Sequence, residues 1–207
     1  MTAIRSLIAI AAAAAAVSAL PVQAQDTGNF IVRARAVYLD SANKDSTDLD
    51  AKLQINNKTI PELDISYFFT PNLAAELILT YPQKQKLTAL DEDGARAQIG
   101  TFKHLPPTLT VQYHFTGLGG FRPYLGAGVN YTNISAVKIL NGAVGLKHNS
   151  WGLAAQVGAD VPLGGGWLLN VDVKKVQIGT TVYVGGVDHG KFKVDPLLVG
   201  VGVGKRF

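Results

Sequence analysis

Hydrophobic side chains recur at every second position along most of this chain. Phe30, Val32, Ala34, Ala36 and Tyr38 alternate with Ile31, Arg33, Arg35 and Val37. The same period runs through Leu63 to Phe69, Ala75 to Tyr81, Leu109 to Phe115, Leu125 to Tyr131, Leu153 to Val161 and Leu169 to Val173. The last run sets Val199, Val201, Val203 and Phe207 on one face, with Gly200, Gly202, Gly204 and Arg206 on the other. A period of two puts one side chain in two on each face of a strand, so the pattern predicts eight strands.

The connections predict how the strands close. Three are short, at Thr70-Pro71-Asn72, Thr116 to Phe121 and Gly164-Gly165-Gly166. Four are long, at about Asp40 to Ile60, Pro82 to Thr108, Thr132 to Ser150 and Gly179 to Asp195. Threaded up and down, the strands sort their aromatic residues to the two ends of the apolar face. Tyr38, Tyr81, Tyr131 and Trp151 fall at the long-loop end; Phe69, Phe115, Trp167 and Phe207 fall at the short-turn end. A soluble barrel turns its apolar side chains inward and has no reason to build two aromatic girdles, whereas a barrel in a bilayer does. The expected fold is therefore all-β: an eight-stranded antiparallel up-and-down transmembrane barrel with short periplasmic turns and long extracellular loops.

The N-terminus agrees with that destination. A single cation at Arg5 precedes an apolar run from Leu7 to Leu20, and small residues follow at Val22 and Ala24. This is the grammar of a secretory signal peptide cleaved after Ala24, leaving one barrel domain at 25–207 in a Gram-negative outer membrane. The full chain carries a formal net charge of +4, and cleavage removes one of its cations. The charges are interleaved, which argues against a nucleic-acid partner. Cysteine is absent, so disulfides and thiol chemistry are excluded.

The second face of the strands collects Arg33, Arg35, Lys174 and Arg206 with Glu62, Asp64, Glu76, Asp160 and Asp172. Eight strands enclose a space that side chains can just fill, and a lone buried charge is costly. These nine residues are expected to pair into a charged plug that closes the lumen. Lys175 and Lys205 share the lipid-facing parity near strand ends, where a cation can reach the interface and, at the outer end, lipopolysaccharide phosphates. The long loops are unexpectedly apolar: Ile139, Leu140, Val144 and Leu146 in the third, and Val182 and Val184 in the fourth, suggest an apolar mouth. Pro106 and Pro107 cannot donate to a ladder, so they mark a weak seam in the wall and a candidate lateral exit.

Enzyme chemistry finds no purchase. Of His104, His114, His148 and His189 only His148 lies near a serine, Ser150, with no acidic group to orient it, and the four share no metal-ligand spacing. No catalytic residue, metal or cofactor is expected.

Four segments together resemble the OmpW-like outer-membrane proteins, the family that includes the alkane-uptake barrels: Leu105 to Phe115 (LPPTLTVQYHF), Arg122 to Tyr131 (RPYLGAGVNY), Trp151 to Asp160 (WGLAAQVGAD), and Val194-Asp195-Pro196 before a final strand ending in Phe207. The resemblance covers essentially the whole mature chain. It implies passive uptake of small hydrophobic molecules, entering an apolar extracellular-side pocket and leaving sideways into the membrane. It also implies that outer-membrane lipid, small hydrophobic solutes and, through the terminal Phe207, the barrel-assembly machinery are partners. The alternative is a structural or adhesive barrel, or a narrow ion channel, without specific cargo. A fully packed upper interior would favour that alternative.

Overall fold

The computed structural model describes residues 28–91 and 93–207; the expected leader at 1–24 lies outside them. In chain order the strands are β1 (Phe30–Asp40), β2 (Lys44–Thr47), β3 (Lys52–Ile55), β4 (Lys58–Phe68) and β5 (Leu73–Leu79). Then come β6 (Gln83–Leu90), β7 (Arg96–Leu105), β8 (Thr108–His114), β9 (Arg122–Ile139) and β10 (Val144–Leu146). The chain finishes with β11 (Asn149–Gly164), β12 (Trp167–Val176), β13 (Gly179–Val184), β14 (Val187–Lys193) and β15 (Leu197–Arg206).

Eight of these make the expected wall, paired antiparallel in the order β1, β4, β5, β8, β9, β11, β12, β15. The terminal Val/Gly strand then returns to the first one, with Ala34 opposite Val203, and the barrel is closed. At its lower rim the Phe30 and Phe207 backbones exchange hydrogen bonds of 3.2 and 2.9 Å. Closure leaves no sheet edge, which a strand in lipid cannot have. The outward row is apolar and bare, with Leu109, Val111, Leu125, Leu153 and Val157 each at least half exposed.

The glycines of β15 have a packing reason. A Cβ on Gly204 would come within 2.8 Å of both the Arg33 side chain and Leu168, so the bare backbone makes room for an arginine stem inside a narrow barrel. Gly158 does the same for the Tyr124 ring, whose hydroxyl would lie 2.3 Å from an added Cβ.

The long loops are not loops. They continue as an upper storey in which β3, β6, β7, β9, β10, β13, β14 and β2 pair in sequence. Between β2 and β3 side chains stand in for the ladder. The Ile55 N–H donates to Asn43 Oδ1 (2.8 Å), and Asn43 Nδ2 donates to the Ile55 carbonyl (3.2 Å). The interior is layered from bottom to top. A small apolar floor of Ile31, Phe68, Ala74 and Leu168 comes first, then a charged layer, then a large apolar cluster in the upper storey.

Candidate functional site

The charged layer begins with two arginines on one face of β1. Register sets Arg33 opposite Asp64 and Arg35 opposite Glu62 on β4. Arg33 forms a two-pronged pair with Asp160, at 3.1 and 2.6 Å, and its third nitrogen reaches Glu76 (3.0 Å) and Ser66 (2.6 Å). Arg35 lies within ion-pair distance of four acids: Glu62 and Asp64 at 3.2 Å, Glu76 at 3.5 Å and Asp172 at 3.6 Å. Lys174 completes the layer with Glu62 (2.9 Å) and Asp172 (3.7 Å). Eight of the nine expected plug residues are thus brought together and buried.

Arg206, the ninth, lies lower and is half-buried. Its guanidinium stacks on Phe68 at 4.5 Å, its Nε donates to the Gly28 carbonyl (2.8 Å), and with Arg122 and Asp160 it lines a cavity of about 20 Å³ at the floor. Parity sets it on the inward face, but its position one residue before Phe207 puts it at the rim, below the plug it was expected to join. Tyr124, absent from the expected set, is central. Its hydroxyl accepts from Arg35 (3.3 Å) and Asn170 (3.2 Å) and donates to Asp172 (2.9 Å). Extending the alternation of β9 inward from Gly126 by two residues would have found it.

Above the charges the apolar residues meet. Ile139, Val144, Leu146 and Val182 are buried in the upper cluster beside Leu39, Phe102 and Phe192, with Val184 packed against it. Leu140 is a correction. It opens the turn Leu140–Gly142 with a positive φ of 44° and is 53% exposed, because the reversal that pairs Ile139 with Val144 turns its side chain out. The chamber is apolar but filled. Behind the wall, where it meets the charges, there is a cavity of about 20 Å³ bordered by Ile60, Leu79, Thr80, His104, Pro106 and Thr108.

The wall's hydrogen-bond ladder is interrupted at that level. β7 ends at Leu105 and β8 begins at Thr108, so Pro106 and Pro107 fall in a break of the strand. On the β9 side the break is held: the Tyr131 N–H donates to the Pro107 carbonyl (3.1 Å), and Asn130 Nδ2 reaches the carbonyls of Pro106 (3.2 Å) and Pro107 (3.1 Å). On the other side, the pairing Ile78 with Thr108 and the pairing Gln83 with His104 are one residue out of register. A second lapse, not foreseen, lies on the far flank. β4–β5 pairing stops at Leu63 with Leu79 and resumes in the same register at Ile55 with Leu87. Pro61 and Pro82 sit within it. Side-chain bonds cross it instead, from Thr80 Oγ1 to the Pro61 carbonyl (2.8 Å), from Lys58 Nζ to the Lys84 carbonyl (3.4 Å) and from the Lys86 N–H to Asn56 Oδ1 (2.7 Å). The segment 80–82 is therefore flanked by lapses on both sides.

The expected girdle residues face outward at the two ends. Tyr131 and Trp151 are cross-strand neighbours with rings 4.9 Å apart, Tyr81 is exposed and Tyr38 is half-buried. Below, Phe69, Phe115, Trp167 and Phe207 are all exposed. Lys205 lies between Trp167 (5.3 Å) and Phe207 (5.5 Å), and Lys175 donates to the Asp195 carbonyl. Among the described residues no cluster of His, Asp or Glu is arranged to hold a metal ion.

The OmpW family model matches residues 26–207. Outer membrane protein W of Vibrio cholerae is 40% identical over 186 residues, covering 84% of this chain and 85% of that one. The crystal structure of the outer membrane protein OprG from Pseudomonas aeruginosa superposes with a TM-score of 0.69 at 26% identity, over 87% of this chain and 96% of OprG. The solid-state NMR structure of outer membrane protein AlkL in lipid bilayers gives a TM-score of 0.64 at 25% identity, over 92% and 96% of the two chains.

Proposed function

From the premise that the chain belongs to the OmpW family and is an integral β-barrel of the bacterial outer membrane, we propose that it is a passive channel for small hydrophobic molecules. Solutes enter the apolar upper storey and leave sideways through the wall near Pro106 and Pro107. One observation carries this reading: the interior changes from apolar to charged at the level where the ladder lapses. A hydrophobic solute gains nothing from the layer of paired charges below, whose groups would have to give up their partners. Lipid lies beyond a wall that is held there partly by side chains. The buried and mutually paired charges also argue against a wide aqueous pore.

A second reading has its own support. The upper cluster is well packed, with Ile139 and Val182 fully buried, as a purely structural barrel would have it. Transport then requires these side chains to part. They are held by dispersion and apolar burial alone, contacts that an apolar solute can replace. The two readings separate in an uptake assay on cells with and without the protein. Faster accumulation of a radiolabelled alkane in cells carrying it is expected. Equal rates at matched barrel levels would leave only the structural reading.

A further inference from the structure

Three polar side chains are buried on the inward face of β6 and β7, in the storey that holds the large apolar cluster. Gln83 pairs across the strands with His104, and Gln85 pairs with Phe102. All three polar residues are at most 1% exposed. Among the described residues, Gln83 Oε1, both amide atoms of Gln85 and both ring nitrogens of His104 have no protein hydrogen-bond partner. Buried polar groups are ordinarily satisfied, and one that is not costs its full desolvation. Gln83 is also oriented. Its Nε2 donates to Thr80 Oγ1 (3.2 Å) and the Tyr81 carbonyl (3.0 Å), which leaves the acceptor oxygen as its open end. That anchor lies on the segment flanked by the two lapses, and His104 borders the cavity behind the seam.

We propose that Gln83, Gln85 and His104 form a polar subsite at the turn from chamber to exit, which takes the hydroxyl group of a neutral, otherwise apolar solute. The inference rests on the uptake reading and narrows its cargo. A hydroxyl both donates and accepts. Gln83 Oε1 can only accept, so a ligand must bring a donor, which an ether, ketone or ester lacks. Gln85 and the neutral imidazole supply donors in return. Burial, reinforced by the charge of Lys58, pushes the His104 imidazole down to about 4. At neutral pH it is uncharged, and Lys174, which also lines the cavity, is already paired with Glu62 at 2.9 Å, so a carboxylate entering there must compete with Glu62 for its cation. The cavity at His104, about 20 Å³, matches a single hydroxyl-sized group.

The test compares tritiated 1-decanol, decane and decanoate entering cells that carry either the wild-type chain or Gln83→Leu/Gln85→Leu/His104→Phe. Gln85 and His104 lose no protein hydrogen bond, whereas Gln83→Leu gives up those to Thr80 and Tyr81, so uptake is compared at folded-barrel levels matched by heat-modifiable gel mobility. Decanol uptake is expected to fall on the order of tenfold in the variant, as one or two hydrogen bonds are lost, while decane is unchanged. Unchanged decanol uptake in a folded variant overturns the subsite and leaves the three side chains holding water only. If neither compound enters faster with the wild-type protein than without it, the uptake reading itself has failed. A second measurement needs no variant: the His104 ring ¹⁵N resonances of the wild-type barrel in nanodiscs are expected to shift on adding decanol and not on adding decane or decanoate. No shift with decanol, or equal shifts with decanol and decane, also overturns the proposal.

Discussion

Replacing Arg35 by methionine is expected to cost the barrel about 3–5 kcal/mol of folding stability, the usual penalty for removing one partner of a buried ionic network. The choice of residue follows from which carboxylates keep a cation. Without Arg35, Glu76 retains Arg33, and Glu62 and Asp172 retain Lys174. Asp64 loses the ion pair it makes with Arg35 at 3.2 Å and keeps only the more distant charge of Lys174. The acids outnumber the cations in this layer, so loss of an arginine is worse than loss of a carboxylate. Asp160→Ala is accordingly expected to be milder, since Arg33 still holds Glu76. Urea unfolding of the barrel in lipid vesicles, followed by heat-modifiable gel mobility, measures both. Adding Asp64→Asn to Arg35→Met should recover part of the loss, as coupled neighbours do. A cost for Arg35→Met below about 1 kcal/mol, the level of an exposed pair, would mean that the layer is not the dry network described. A large step in single-channel conductance on weakening it would show that the charges, and not the whole packed interior, close the lumen.

The second large effect is on transport. Changing Pro106 and Pro107 together to valine returns two backbone donors to the wall where β7 and β8 break. The flanking pairings are one residue out of register, so the repaired ladder must carry a bulge. Only residue 106 turns its donor to the seam, because the carbonyl of residue 107, and with it that residue's N–H, faces β9. One added hydrogen bond would raise the work of opening the seam by about 0.5–1.5 kcal/mol, which corresponds to uptake slower by roughly two- to tenfold. Folding should survive, since Tyr131 and Asn130 already hold the segment to β9. A folded double variant that carries solute at the wild-type rate would remove the prolines from the exit.

The wall was legible because each wall strand alternates apolar with polar or small residues, and parity alone separates lipid face from lumen. Arg33 and Arg35 on β1 and Glu62 and Asp64 on β4 could be assigned inward without any knowledge of pairing. The upper storey was not legible for the same physical reason. Gln83-Lys84-Gln85-Lys86 alternates buried with exposed positions, yet both faces are polar, so it carries no hydrophobic period. The lapse at Pro61 was hidden because that proline sits inside a strand that is continuous on its other side, opposite Ala36. Leu140 misled because it was grouped with its apolar loop neighbours by composition alone, while the turn it opens leaves it outside the cluster that buries Ile139. Tyr124 escaped because the strand was started one residue too late. At Tyr124 the alternation itself would have sufficed; for the upper storey and the lapse at Pro61 the sequence lacked the cross-strand partner that only the folded chain supplies.

If solute leaves through the seam, a reversible lock across it must stop transport. Continuing the register of Ile78 with Thr108 sets Thr80 opposite Pro106, where directly facing residues of an antiparallel pair come close enough for a disulfide. The chain has no cysteine of its own, so Thr80→Cys with Pro106→Cys gives a single possible bridge. Uptake of a radiolabelled alkane is measured in one batch of cells, first oxidised and then reduced, with thiol labelling to confirm each state. Uptake near that of cells lacking the protein is expected while the bridge is closed, with recovery on reduction to the rate of the Pro106→Cys single variant, whose restored N–H is present in both states. Equal uptake in the two states, with the bridge shown to form, would contradict exit through the seam.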